Sequence, residues 1–475
     1  MRSAVPGVIA CLLTFTPPLA ARTPNVVLFY ADDLGVGDLG CFGCRDIQTP
    51  HIDALAASGV RMTNYYTVAP LCAPSRAALL TGRTPARAGM SLTHNVSSII
   101  GKPGLDGDEI TLAELAKTQG YATAVFGKWH LGASFDTQPN AQGFDLFLGH
   151  HASCVDSFSH TYYASEPYYH ELYRNRKEIH EDGVHMVDLI TRETTRFIER
   201  HRDRPFLVYV AYNVPHYPMV APGRYLERYQ HLPRPRRDWA ALTTHMDDSI
   251  GEIMACLERH DLIADTFVFF SSDNGVPNTS LRGEGGGSNA PYREYKRSLF
   301  EGGIHMPAIV SWPGHVPAGQ VRDQLAAVTD VFPTVAQIIG ATLPENRTYD
   351  GRSWQPMLAD PAQPGHDMLF FEWNGQHAVR QGRWKVIRNG ILGQDVVRQN
   401  RAAGEDFIFL TDLDADPGET TNLRAQHPDI AERLLAAHDR WRAEIAADLA
   451  RRSRDNQESA TETDEDARTE PEGSQ

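Results

Sequence analysis

An α/β fold is predicted for this chain by two observations that recur along its 475 residues. Apolar, β-rich runs stop abruptly at polar groups: Asn25 to Ala31 before Asp32-Asp33, Ala122 to Phe126 before Gly127-Lys128-Trp129-His130, Phe206 to Tyr212 before Asn213-Val214-Pro215-His216, and Thr266 to Ser272 before Asp273-Asn274. Such runs read as strands buried on both faces, and helical patterns separate them. Open α/β sheets hold ligands beyond the carboxyl ends of their strands, where each of these reactive groups falls.

A chain of this length holds more than one core, so a large α/β domain with a smaller partner is expected. The formal net charge of −15 argues against nucleic acid as a partner, although a local basic pocket can still draw an anionic substrate. Met1 to Ala21, an apolar run behind Arg2, reads as a secretory signal peptide cleaved near Ala20 or Ala21. Val8-Ile9-Ala10-Cys11 is also similar to a lipoprotein box, but one positive charge and a very short stretch precede it. No later segment has the apolar length of a spanning helix, so a soluble, exported protein is expected, periplasmic or extracellular. Of six cysteines, Cys41 and Cys44 have redox or zinc spacing without a second pair nearby, which leaves a local disulfide or two free thiols. There is no internal repeat.

In chain order, two adjacent carboxylates, Asp32 and Asp33, end the first strand and need a cation to stay ionised together. Thr49-Pro50 opens a helix to Gly59 in cap and first-turn roles. Pro74 suits a first helical position, Ala77 to Leu80 favour helix and Gly82 suits a left-handed stop, so Cys72 is expected to cap a short helix. An anion beside Cys72 would face free backbone N–H groups, with Arg76 one turn further in. Thr111 to Glu114 forms a capping box for a helix ending at Gly120. The His-, Tyr- and Ser-rich stretch from Gly149 to Gly183 lacks periodicity and reads as loops over a pocket mouth. Helices are expected over Met186 to His201 and Trp239 to Leu257, the second with Asp247 in a packing role. Prolines flank His216 and fix the direction of its imidazole. Asp273 and Asn274 complete, with Asp32 and Asp33, four oxygen donors on two strand tips, a hard-cation set. Gly283 to Asn289 is glycine-rich but lacks Gly-Lys-Ser/Thr, against a nucleotide loop.

The string Cys72-Ala73-Pro74-Ser75-Arg76, followed by Leu79-Leu80-Thr81-Gly82-Arg83, resembles the signature of the formylglycine-dependent sulfatases, in which the cysteine is oxidised to an aldehyde. The resemblance runs from about Pro24 to Trp441. It includes Ala31-Asp32-Asp33-Leu34-Gly35, Gly127-Lys128-Trp129-His130-Leu131-Gly132 and Lys296 to Pro307, where Arg297 replaces the usual Gly and His305 the usual Arg. It implies an alkaline-phosphatase-like three-layer sandwich with a smaller C-terminal α+β subdomain. It also implies a metal site of Asp32, Asp33, Cys72, Asp273 and Asn274 holding Ca2+ or Mg2+, and catalytic roles for Cys72, Arg76, Lys128, His130, His216 and Lys296. On that likeness formylglycine formed from Cys72 attacks sulfur, Asp273 accepts its proton, His216 protonates the leaving sugar oxygen, His130 drives sulfate release, and a maturation enzyme is a partner.

Short strands at Met368 to Trp373 and Trp384 to Arg388, a turn at Asp412 to Gly418 and a helix from Pro428 to Ile445 make up the expected subdomain. The domains read as 1–21 signal peptide, 22–345 catalytic, 346–447 C-terminal subdomain and 448–475 disordered tail. The stretches Pro70 to Arg83 and Gly286 to Pro291 look most like sulfatases acting on sulfated galactose or N-acetylgalactosamine units. Two rival readings are a phosphonate monoester or phosphodiester hydrolase of the same superfamily and a non-catalytic binder of sulfated glycan.

Overall fold

The computed structural model describes residues 23–90, 104–163, 166–278, 285–391 and 406–469. The leader up to Ala21, including Cys11, lies outside them, as does the start of the glycine-rich stretch.

A ten-stranded mixed sheet runs in the order Gln320–Arg322, Val60–Met62, Ala308–Ser311, Thr266–Ser272, Asn25–Asp32, Phe206–Pro215, Ala122–Lys128, Leu146–His150, Tyr173–Arg174, Lys177–Glu178. The five strands from Thr266–Ser272 to Leu146–His150 are mutually parallel; strands on both sides turn antiparallel. Each central strand alternates its side chains between two cores. Val26, Leu28 and Tyr30 enter one with Leu207 and Tyr209, while Val27, Phe29 and Ala31 enter the other with Val208 and Val210. Helices Cys72–Thr81, Leu112–Thr118 and Val331–Ile339 cover the first face; Pro50–Ala57, Met186–His201 and Arg236–Arg259 cover the second. That is the three-layer sandwich, and the parallel strands all aim their carboxyl ends at one rim.

Local signals account for the helix ends. The Thr111 hydroxyl accepts from Glu114 N and the Glu114 carboxylate from Thr111 N, the reciprocal cap read from sequence. Gly82 is left-handed with φ 69° and stops the Cys72 helix. The start of that helix differs from expectation: Leu71 is the extended cap residue and Cys72 is already helical, with Pro74 in its first turn. Proline is tolerated anywhere in a first turn, because those N–H groups have no intrahelical partner. Asp247 packs as expected, accepting from the N–H groups of His51 and Ile52 at the start of the Pro50–Ala57 helix.

A separate antiparallel sheet, Leu369–Trp373, Gln376–Gln381, Trp384–Arg388 and Ile408–Asp412, follows. Phe371, Ala378, Ile387 and Phe409 on one face join the first core; Val379, Val386 and Leu410 on the other meet Ala431 and Leu434 of the last helix. Trp354 and Met357, in the segment leading to this sheet, also pack into the first core. The last helix runs from Pro428 to Thr469, past the expected ending at Ile445, and residues 470–475 of the expected tail lie outside the described residues. Residues 448–469 contain Ala, Arg and Glu with neither Pro nor Gly, and Asp448 is held by Arg87 at 3.1 Å. Cys41, Cys44, Cys154 and Cys256 are free thiols, which decides the Cys41/Cys44 alternatives. Among the described residues no helix is long and apolar enough to cross a membrane.

Candidate active site

The site is assembled at the rim from four adjacent parallel strands and one helix start. Asp32 ends the central strand; Asp33 follows with φ 67°, a left-handed turn that folds the backbone so that its N–H donates to Asp273 Oδ1 at 3.0 Å. Lys128 ends its strand, and His130 two residues on is also left-handed, φ 55°. His216 follows directly on the strand ending at Pro215. Cys72 enters from the helix start, 1% exposed, and its Sγ lies with carboxylate oxygens of Asp32 and Asp273 in a group whose members are all within 4.8 Å of one another.

Charges interlock around this point. Lys128 Nζ donates to both Asp32 oxygens at 2.9 and 2.7 Å, and Lys296 Nζ to both Asp33 oxygens at 2.6 and 2.9 Å. Arg76 reaches Asp273 Oδ2 through Nε at 3.0 Å and Nη2 at 2.8 Å, and its Nη1 donates to Lys128 O at 3.1 Å and to the Tyr209 hydroxyl oxygen at 3.2 Å. His216 donates from Nδ1 to Tyr217 O at 2.6 Å and turns Nε2 toward Asp33 Oδ2 at 3.5 Å. Asn274 Nδ2 donates to Asp33 Oδ1 at 2.7 Å.

Burial works against every charge here; partners overcome it at some groups and not at others. Burial pushes the Asp32 carboxyl up, but Lys128 and His216 outweigh it and hold it below the ordinary value; for Asp33, Lys296 and His216 do the same. Asp273 is held above its ordinary value by burial and by Asp32, in spite of Arg76. Burial opposes the Lys128 and Lys296 ammonium groups, yet Asp32 and Asp33 respectively keep both raised. Burial, then the cations Lys128 and Arg76, hold the His130 imidazole well below its ordinary value. Burial also lowers His216, against the pull of Asp32 and Asp33, and raises the Cys72 thiol.

Several buried polar atoms in this setting stand without hydrogen-bond partners, three of them on residues singled out from the sequence. These three are both ring nitrogens of His130 and Oδ1 of Asn274. An orphaned amide oxygen beside three buried carboxylates, one of them held up by burial and by Asp32, fits a hard divalent cation with oxygen ligands. Asp32, Asp33, Asp273 and Asn274 would hold it.

All the residues singled out from the sequence thus converge on one rim. Sequence reasoning missed His150 and Tyr209. His150 ends the strand paired to Lys128, is fully buried with Nε2 unpartnered, and feels the charges of Lys128 and Arg76. Its place at the end of an apolar run was a readable signal. Tyr209 lies in the middle of a strand, and nothing local marks it. The two motif departures are absorbed. Arg297 adopts φ 75°, the conformation glycine favours, with its side chain exposed. His305 is buried between Glu301, at 2.7 Å, and Thr63 O, at 2.8 Å.

A family model described as Sulfatase matches residues 24–341, and one described as N-sulphoglucosamine sulphohydrolase, C-terminal, matches 293–442. Human N-acetylgalactosamine-6-sulfatase is 34% identical over 450 residues, covering 87% of this chain and 84% of the relative. Human arylsulfatase A is 35% identical over 445 residues, covering 87% and 86%. Among solved structures, that of Ps i-CgsB in complex with k-i-k-neocarrahexaose is similar with a TM-score of 0.79 at 28% identity, covering 89% of this chain and 93% of that one.

Proposed function

The chain belongs to the sulfatase family, a sulfuric ester hydrolase, and from that premise we propose that it removes sulfate from a galactose or N-acetylgalactosamine unit of a sulfated saccharide. The reading includes maturation of Cys72 to formylglycine by a dedicated enzyme, Ca2+ as the cation with Mg2+ as the alternative, and export by the Met1 to Ala21 leader. The observation that carries it is the grouping of Cys72 Sγ with Asp32 and Asp273 at a helix start. The saccharide unit rests on the likeness to the human N-acetylgalactosamine-6-sulfatase.

A matured Cys72 supplies a hydrated aldehyde, with one hydroxyl to attack and a second to release. The cation supplies Lewis acidity, which favours an oxygen nucleophile near neutral pH and stabilises negative charge. The remaining work falls to side chains. Lys128, Lys296 and Arg76 bring positive charge to a rim where sulfate oxygens gain charge as the S–O bond breaks. Asp273, whose carboxyl is held up by burial and Asp32, is suited to accept a proton close to Cys72. His130, neutral and unpartnered at both nitrogens, can take a second. His216, whose Nδ1 donates to Tyr217 O, can give one to the leaving oxygen from Nε2 in its imidazolium form, which burial disfavours and the nearby Asp32 and Asp33 favour.

Mass spectrometry of the Cys72 peptide from active protein is expected to show formylglycine, and full activity with an unmodified thiol would refute the reading. Matured protein, offered a panel of defined sulfated saccharides and an aryl phosphate diester, is expected to prefer a galacto-configured sulfate ester. Preference for the phosphate diester would favour the rival hydrolase, and turnover of nothing would favour a binder. Elemental analysis that finds zinc with neither calcium nor magnesium would refute the cation.

A further inference from the structure

The histidine-rich stretch between Gly149 and Gly183 holds two imidazoles that the reaction does not use. His160 is fully buried, at the left-handed φ of 51°, and its Nε2 lies 3.2 Å from Val184 O, which fixes the proton on that nitrogen. Its Nδ1 lone pair is buried and has no hydrogen-bond partner. His170 repeats the arrangement in mirror order. Nδ1 is 3.0 Å from Glu178 Oε1, while Nε2 is buried and unpartnered. Both free nitrogens turn toward one oxygen, Asp182 Oδ1, at 3.8 Å from His160 and 3.6 Å from His170.

These separations are too long for hydrogen bonds. They are close to the spacing of ligands sharing a tetrahedral ion, since metal–ligand bonds of about 2.0–2.1 Å put neighbouring ligands about 3.3 Å apart. The ligand atoms of His160, His170 and Asp182 all lie within 4.8 Å of one another. Each imidazole already has the outer partner that ligating histidines use to fix their tautomer: a backbone carbonyl for His160 and a carboxylate for His170. The Asp182 side chain is 61% exposed, which leaves a route in from solvent.

We propose that His160 Nδ1, His170 Nε2 and an Asp182 carboxylate oxygen form a second metal site, for a Zn2+-class divalent ion with water in the fourth position. Two imidazoles and one carboxylate suit such an ion, whereas the oxygen set at the strand tips suits Ca2+ or Mg2+. The site ties three separate pieces of this region together: the residue before the Thr161–Tyr162 strand, the Tyr169–His170 strand and the turn at Asp182. Asn213 Nδ2 donates to Ser157 Oγ, so the pinned segment also touches the strand end that leads to His216. The proposal is independent of the reaction and of Cys72 maturation.

The full-length protein, stripped by chelator and supplied with excess Ca2+ to occupy the strand-tip site, is titrated with Zn2+ by calorimetry and with Co2+ by visible absorption. One equivalent is expected to bind, with the absorption of a tetrahedral Co2+ centre and a rise in the melting temperature. Asp182→Asn, an exposed change that leaves packing alone, and His170→Gln should each weaken Zn2+ binding by at least about 100-fold, and Glu178→Gln by about 10-fold, a loss usual for an outer partner. No Zn2+ bound in the presence of Ca2+, or unchanged affinity in Asp182→Asn, would overturn the proposal. Should His170→Gln fail to fold, Asp182→Asn decides alone.

Discussion

Two regions of this molecule bury several charges each and treat them differently. Around Cys72, Asn274 Oδ1 and both His130 nitrogens have no partner, and Asp273 is held above its ordinary value. Below the small sheet, Glu301 is equally buried but fully satisfied. Tyr66 donates to Oε2 at 2.6 Å, His305 lies 2.7 Å from the same oxygen, and Lys385 donates to Oε1 at 2.7 Å. Both regions pay desolvation and both recover part of it in hydrogen bonds, but the His130 ring and the Asn274 amide oxygen stay unpartnered in the first, whereas both oxygens of Glu301 are taken in the second. Around Cys72 the unpartnered groups are open to a ligand, whereas the carboxylate of Glu301 is already held at both oxygens.

If that contrast is right, changes in the first region should cost activity and changes in the second stability. Cys72→Ala should have the largest effect, a loss of about 10⁴–10⁶-fold in kcat with little change in melting temperature, as for other essential nucleophiles. Retained turnover by the fully folded variant would break the comparison at its centre. Lys128→Ala should lower kcat/KM on a sulfated sugar and on nitrophenyl sulfate alike, by about 10²–10³-fold. His216→Ala should cost about 10²–10⁴-fold on the sugar and far less on nitrophenyl sulfate, whose leaving group needs no proton. Equal losses on matured enzyme would reduce His216 to a loop support. Glu301→Ala should instead cost about 3–5 kcal/mol in urea unfolding, since Lys385 loses a buried partner, while both substrates change in the same proportion.

The smallest effect concerns pH. Burial, opposed by Lys385 and aided by Glu301, raises the Glu419 carboxyl from 4.5 to about 7. Between these values the folded chain holds a proton that the unfolded chain has released, so this group makes stability fall as pH rises through that window. Glu419→Gln should remove that decline, which urea midpoints at pH 5 and 7 would register; an unchanged slope would show that the proton resides elsewhere.

Much of the rim was legible because its residues are contiguous in sequence with their strands. An apolar run fixes where a strand ends, and the next two residues then fall on the rim, as with Asp32-Asp33 and Asp273-Asn274. The Cys72 helix was legible from Gly82 backwards, but its first residue was not, because Pro74 is acceptable at more than one position of a first turn. The two-residue strands at Thr161–Tyr162 and Tyr169–His170 are too short to carry a period, so that region read as loop. The last helix was cut short because exposed helix and disordered chain share a charged composition, and the contact that distinguishes them, Asp448 with Arg87, joins residues far apart in sequence. Tyr209 is legible only once the sheet is assembled.

That last contact also orders events in time. Asp448 lies 3.1 Å from Arg87, and Arg452 lies 2.8 Å from Glu109, which itself faces Arg83 at 3.1 Å, just beyond the Cys72 helix. A ribosome delivers Asp448 and Arg452 more than 300 residues after the cations and carboxylate they neutralise. Through nearly all of synthesis, then, the chain following the Cys72 helix lacks its final counterions, and closing this long loop is a step that only the completed polypeptide can take.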